Sequence, residues 1–392
     1  MDFSKWKKEV PYLEVMADVH ISENQIGINT SGKHYLYAKV KAPLVDIKEK
    51  SVYNFKAEIF AKNIEYKILF TWFDSEESQI ARGYLKDEDT CVSPPKAKKL
   101  EIAILGFSSE MGEMLINDVN IDYLKEYIPK TVTMAAIHID YNPPRTCAMN
   151  LKETLDKLDE VAKEKPDVVV LTEGMYDRRC DVSIEKGSLT LNDEPIRQLK
   201  EKARENHYYI ALSLHLKRNG LFYNTGMLID RKGEIVGMYD KSHLTMAEIE
   251  EGMPAGNRLP VFETDFGKVG IVICWDMWFP EMTRVLYEKG VDIILNPTAG
   301  FCDYQSRACA MNNGVYVVTS GVIERKCTRI LNPYGEVIAD AKENGIAIAK
   351  AVIKNPNYVF WLSVGEANGD GKNLYHFERR PKLYTTLIKN ET

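Results

Sequence analysis

The 392-residue chain has no Cys-x-x-Cys or Cys-x-x-His spacing and no excess of basic charge. Nor does it have an apolar run near the ~20 residues of a membrane helix. Its seven cysteines (Cys91, Cys147, Cys180, Cys274, Cys302, Cys309, Cys327) are odd in number and scattered. That pattern argues against both a disulfide framework and a zinc site. There is no Gly-rich phosphate loop and no cluster of His and Asp at metal-ligand spacing, so neither cofactor nor metal is expected. A net charge of -6 provides no field to gather nucleic acid or an anionic membrane. The basic runs, Lys96 to Lys99 and Arg379-Arg380, are short enough to be solvated faces. The first residues, Met1 to Glu9, lack the apolar core of a signal peptide, and a cytoplasmic location is expected.

What is present is a globular composition, 45% hydrophobic and 28% charged. At about 150 residues per domain the length predicts two or more domains. From about Tyr35 to Asn120 the pattern is strands only. Every second residue of Tyr53 to Ile59 is apolar, as in a strand with one wet face, and turn residues recur at roughly ten-residue intervals. This predicts a separate β-sandwich, jelly-roll-like, over residues 1–128, closed by a short helical linker from Ile121 to Tyr127. From Thr131 strands alternate with helical patterns, the texture of an α/β domain, here residues 129–392. Its polar tail, with aromatic islands at Tyr358 to Trp361 and Tyr375 to Phe377, is expected to be an arm laid over a partner subunit.

Three places in the α/β part set an ionisable residue beside an apolar strand. Val168 to Leu171 leads through Thr172 to Glu173, Tyr239-Asp240 leads to Lys241, and the β-branched run Val269 to Ile273 delivers Cys274. Ligand sites of open α/β sheets gather at strand ends, so these three side chains can meet. A carboxylate can take the proton of a thiol, and an ammonium can favour the thiolate and then hold an oxyanion. Each residue also has a bland reading. Cys is among the most buried residue types, Glu173 alone is a sheet-edge carboxylate, and Lys241 alone is a loop cation. His243, two residues after the lysine, reads as a packing and hydrogen-bonding residue.

Together the motifs resemble the nitrilase superfamily of carbon-nitrogen hydrolases. They are Val169 to Glu173, Tyr223-Asn224-Thr225, Tyr239 to Leu244, Pro254-Ala255-Gly256, and Gly270 to Asp276 with Pro280-Glu281. The resemblance covers about Thr131 to Ile353 and implies a four-layer α-β-β-α sandwich, an enzyme acting on carbon-nitrogen bonds other than peptide bonds, and a homodimer or higher homo-oligomer. It places Glu173 on the general base, Lys241 on the oxyanion-stabilising lysine and Cys274 on the nucleophile. A second, orienting glutamate falls on Glu250, with Glu248 and Glu251 as alternatives. Trp275, Tyr176 and Trp278 are expected at the oxyanion and substrate-binding mouth. Two departures stand out. Cys309-Ala310-Met311-Asn312-Asn313 replaces the family's Arg-Ala-x-Glu-Asn, and Cys-Trp-Asp in place of Cys-Trp-Glu tilts the expected substrate toward an amide over a nitrile, with nitrile and N-carbamoyl hydrolysis kept as alternatives. A second reading makes the chain a carbohydrate- or protein-binding module on a hydrolase-like scaffold.

Overall fold

A computed structural model describes residues 2–388 except 11, 34, 108–110, 143, 301–302, 323–326, 354–367 and 370. The expected aromatic island Tyr358 to Trp361 lies outside the described residues. The chain divides into two compact units, Met1–Ile128 with Asn355–Thr392, and Pro129–Lys354.

The first unit is all β in its first 128 residues and holds two sheets. One runs in the order Lys7–Glu9, Ala38–Lys41, Lys99–Phe107, Glu65–Phe73, Gln79–Leu85 and Asn368–Gly369, with Val45–Asp46 beside Lys99–Phe107. The other is Asp18–Ile21, Ile26–Asn29, Glu113–Glu126, Ser51–Lys62 and Glu88–Val92. Strand Ser51–Lys62 buries Tyr53, Phe55 and Ala57 and exposes Asn54, Lys56 and Glu58, the alternation its sequence shows. Phe55 and Ile28 from one sheet share a core with Trp72 and Ile104 from the other.

One expectation is corrected here. No helix forms over Ile121 to Tyr127, because Glu113–Glu126 stays a strand paired to Ser51–Lys62, with an irregularity between Tyr123 and Lys125. A bulge of this kind breaks the period-two pattern, and without that period the segment reads as helical. The described C-terminal residues group with the first unit rather than with residues 129–354. Asn368–Gly369 pairs with Ala81 and Arg82. The Asn373 side chain then bonds the Tyr84 backbone at both N–H (2.7 Å) and C=O (2.8 Å). Strand Gln79–Leu85 would otherwise present a bare edge, and the returning tail covers it.

The second unit is the four-layer sandwich. One six-stranded sheet runs Ile235–Asp240, Leu221–Ile229, Tyr209–Arg218, Val168–Val170, Lys130–Ile137, Ile346–Ile353, and the other Phe262–Glu263, Lys268–Ile271, Ile293–Pro297, Tyr316–Ser320, Arg329–Leu331, Val337–Asp340. Helices Cys147–Ala162 and Glu194–Asn206 bury Leu158, Val161, Ile196 and Leu199 against the first sheet. Helices Pro280–Glu288 and Asp303–Asn313 bury Leu286 and Ala310 against the second. The sheets meet closely. A Cβ on Gly226 would lie 2.7 Å from Ile271 Cγ2, and the Thr172 and Ser320 hydroxyls, one from each sheet, are 3.2 Å apart. No helix among the described residues is long and apolar enough to cross a membrane.

Candidate active site

Parallel strands in each sheet bring their carboxyl ends to one place. Glu173 follows Val168–Val170, Lys241 follows Ile235–Asp240, Cys274 follows Lys268–Ile271, and Thr298 follows Ile293–Pro297. The strands before Glu173, Cys274 and Thr298 are buried on both faces, which fixes where their ends point, whereas Ile235–Asp240 before Lys241 is partly exposed.

Lys241 is the centre of the site, 2% exposed. Its Nζ donates to Glu173 Oε1 at 2.9 Å and to both Glu248 carboxylate oxygens at 2.9 Å. Asn224, on the strand next to that of Lys241, donates from Nδ2 to Glu173 Oε1 (2.9 Å) and Glu248 Oε1 (2.7 Å). Its own amide oxygen accepts from Ser213 Oγ at 2.7 Å. Arg178 lies over the other carboxylate oxygen, its guanidinium 3.8 Å from Glu173 Oε2, and Nε donates to the Glu173 carbonyl.

These charges set the protonation states. Burial alone would raise the Glu173 carboxyl, but Lys241, Arg178 and the hydrogen bonds from Lys241 and Asn224 override it and hold the group at about 2. Burial would likewise lower Lys241, and Glu173 and Glu248 override it, raising the ammonium above its ordinary value. Both are therefore ionised at neutral pH. The Cys274 thiol behaves oppositely. Burial and the Glu173 charge push it up to about 11, against the pull of Lys241, the Thr298 hydroxyl and the Ala299 N–H. In the free protein it is a protonated thiol.

Cys274 opens a short 3-10 turn, Cys274–Trp278, with a backbone φ of 44°. For a residue with a Cβ this left-handed conformation costs on the order of 1 kcal/mol or more. Gly300 leaves room beside the thiol, since a Cβ there would sit 3.3 Å from the sulfur.

Of the residues expected from sequence, Glu173 and Lys241 bond directly, and Cys274 stands at a strand end of the facing sheet, close enough that both charges act on its thiol. Glu250 does not join them. It is exposed on the helix Met246–Glu250, while Glu248 is buried against Lys241. The reason is local. Thr245 and Glu248 form a capping box, Thr245 N and Oγ1 donating to Glu248 Oε2 at 2.7 and 2.9 Å, which turns Glu248 back toward the start of the helix and toward Lys241. The signature Thr-x-x-Glu is visible in the sequence and would have found it. Trp275 and Trp278 lie in the turn itself, ring centroids 5.4 Å apart and 38% and 45% exposed. Tyr176 is half-buried in the loop after Glu173, its carbonyl accepting from Asn150. Asn224, Arg178, Thr298 and Asp276 were not anticipated as site residues.

A buried Glu-Lys-Glu group thus stands beside a cysteine at the strand ends of the four-layer sandwich. A family model described as carbon-nitrogen hydrolase matches residues 133–357, and the chain belongs to that family. Among curated relatives, the N-carbamoylputrescine amidase of Arabidopsis thaliana is 27% identical over 229 residues, 50% of this chain and 74% of that protein. The nitrilase of Pyrococcus abyssi is 33% identical over 165 residues, 40% and 63%. The citrullinase of Francisella tularensis is 29% identical over 177 residues, 43% and 61%. The matches thus span 61% to 74% of the length of these three relatives. Among solved structures, the carbon-nitrogen hydrolase of Helicobacter pylori G27 is similar with TM-score 0.54 and 19% identity, covering 67% of this chain and 99% of that one. The amidase of Nesterenkonia sp. follows at TM-score 0.53 and 19%, covering 66% and 98%. At these identities the structures speak for the fold alone.

Proposed function

We propose that the protein hydrolyses a small-molecule amide through a cysteine thioester, releasing a carboxylic acid and ammonia or an amine. The observation that carries this reading is the Lys241 ammonium held between Glu173 and Glu248, with the Cys274 sulfur within its field. The thiol rests near 11 and the carboxyl near 2, so proton transfer between them is uphill in the free protein. Thiolate is therefore made during attack. Glu173 takes the Cys274 proton as sulfur bonds to the carbonyl carbon, and the negative charge passes to the oxygen, where Lys241 and the Trp275 N–H stabilise it.

Collapse breaks the C–N bond, and the proton on Glu173 goes to the leaving nitrogen. A water then gives a proton to Glu173 and its oxygen to the thioester carbon. The second oxyanion collapses, the C–S bond breaks, and sulfur regains the proton. Glu248 keeps its charge throughout and fixes the ammonium. Trp275, Trp278 and Tyr176 line the mouth.

A second reading, an N-carbamoyl substrate, draws support from relatives that bear the names N-carbamoylputrescine amidase and citrullinase. It uses the same residues with a carbamoyl group on sulfur. A homodimer or higher homo-oligomer completes the proposal. The exposed Trp278, Val285 and Met311, on and beside the packed helices Pro280–Glu288 and Asp303–Asn313, are apolar surface suited to a second copy. Ammonia release across a panel of amides, nitriles and ureido acids tests the reaction. Turnover of at least one amide or ureido compound, abolished in Cys274→Ala, is expected, whereas full activity in that variant contradicts the proposal.

A further inference from the structure

We infer that Asp276 is a positioning residue whose buried carboxylate sets the separation between the Lys241 ammonium and the Cys274 sulfur. The inference rests on the reaction proposed above. Asp276 is fully buried, two residues beyond the nucleophile. Its Oδ2 accepts from the Tyr239 hydroxyl at 2.7 Å and from the backbone N–H of Ile273 at 3.0 Å. Its Oδ1 faces the backbone N–H of His243 at 2.9 Å and His243 Nδ1 at 3.1 Å.

Tyr239 and His243 stand two residues before and two after Lys241, and Ile273 immediately precedes Cys274. One carboxylate thus ties both flanks of the lysine to the turn that carries the thiol. Three further contacts close the same joint. The Tyr239 hydroxyl accepts from the Ser242 N–H at 3.1 Å, the His243 ring stacks on Phe279 at 3.7 Å and 10°, and the Phe279 N–H donates to the Asp276 carbonyl at 3.1 Å. Lys241 is bound to its carboxylates from one sheet, whereas Cys274 hangs from the other. Hydrogen bonds between the Asp276 side chain and the two segments are what hold them in register.

Only a carboxylate serves all these donors. An amide in its place has one acceptor oxygen and one NH2, and whichever way it turns, the NH2 meets a backbone N–H, either that of Ile273 or that of His243. One segment must then move, and a shift of about 1 Å between reacting groups costs roughly a hundredfold in rate.

The test compares Asp276→Asn and Tyr239→Phe with the wild-type enzyme. It measures kcat and KM on a substrate from the panel and the rate at which iodoacetamide alkylates Cys274 at fixed pH, by peptide mass. Thiol alkylation reports the thiolate fraction. If Lys241 moves away from the sulfur, the thiol rises, and one unit of rise slows alkylation about tenfold. Loss of a nearby negative charge alone would speed it. The expected result for Asp276→Asn is kcat lower by about a hundredfold with KM within about twofold and alkylation slower by about tenfold. Tyr239→Phe, which removes one of the four bonds, moves the same way by less and decides the matter if Asp276→Asn does not fold. Alkylation at or above the wild-type rate in either folded variant, or an unchanged kcat, overturns the positioning role. Activity surviving in Cys274→Ala would contradict the thioester reaction instead, so the two failures are told apart.

Discussion

At Lys241 one ammonium serves two carboxylates, and the two differ in what they are left free to do. Glu248 has both oxygens engaged by Lys241, Asn224 and Thr245, while among the described residues Glu173 Oε2 meets Arg178 at 3.8 Å and is left free to approach a thiol proton. Glu248→Gln should lower kcat by about a hundredfold by loosening the ammonium. Glu250→Gln, on the exposed side of the same helix, should stay near wild type in the same steady-state assay.

The pH dependence follows from the same charges. Because the thiol sits at about 11, alkylation of Cys274 in the free protein should climb roughly tenfold per pH unit from about pH 7 to about pH 10. A plateau at neutral pH would contradict this. Glu173, held at about 2 against about 4.3 in the unfolded chain, contributes stability that is fully present above the unfolded value and is lost as pH falls toward the folded one. Denaturant unfolding at about pH 5 and about pH 3 should show wild type losing more stability on acidification than Glu173→Gln. At this scale Glu173, Lys241 and Cys274 are legible in the sequence because each terminates an apolar run. Glu248 was within reach through Thr245, three residues before it. Asn224, Arg178 and Thr298 were not, because their roles depend on which strands lie side by side.

Among the elements, the loop after Ile235–Asp240 has little room. The Gly256 N–H donates to the Lys241 carbonyl at 2.9 Å, and a Cβ on Gly256 would fall 2.0 Å from the Asp240 carbonyl oxygen. Since that neighbour is backbone, Gly256→Ala must displace the segment bearing Lys241. The variant should melt at lower temperature and lose kcat together, both readable from one preparation; wild-type values for both would show that the loop tolerates the methyl group. The helices and strands of the second unit follow from period and burial. The linker at Ile121 to Tyr127 shows the limit. There, pairing with Ser51–Lys62 keeps the segment extended although its local pattern is not that of a strand.

For the whole molecule, the tail is the part least visible in sequence. Its residues join the first unit through a two-residue strand and the paired Asn373 bonds, contacts too distant along the chain for any local pattern to report. Asn373→Ala should cost about 1 kcal/mol in the unfolding of the first unit and leave turnover unchanged. The most direct test of the proposed reaction is the mass of the enzyme during turnover. Rapid acid quench with an amide substrate should show one acyl group added, located by peptide mapping to Cys274 and absent from Cys274→Ala. Sustained turnover with no acyl adduct on Cys274, and retained activity in Cys274→Ala, would contradict it.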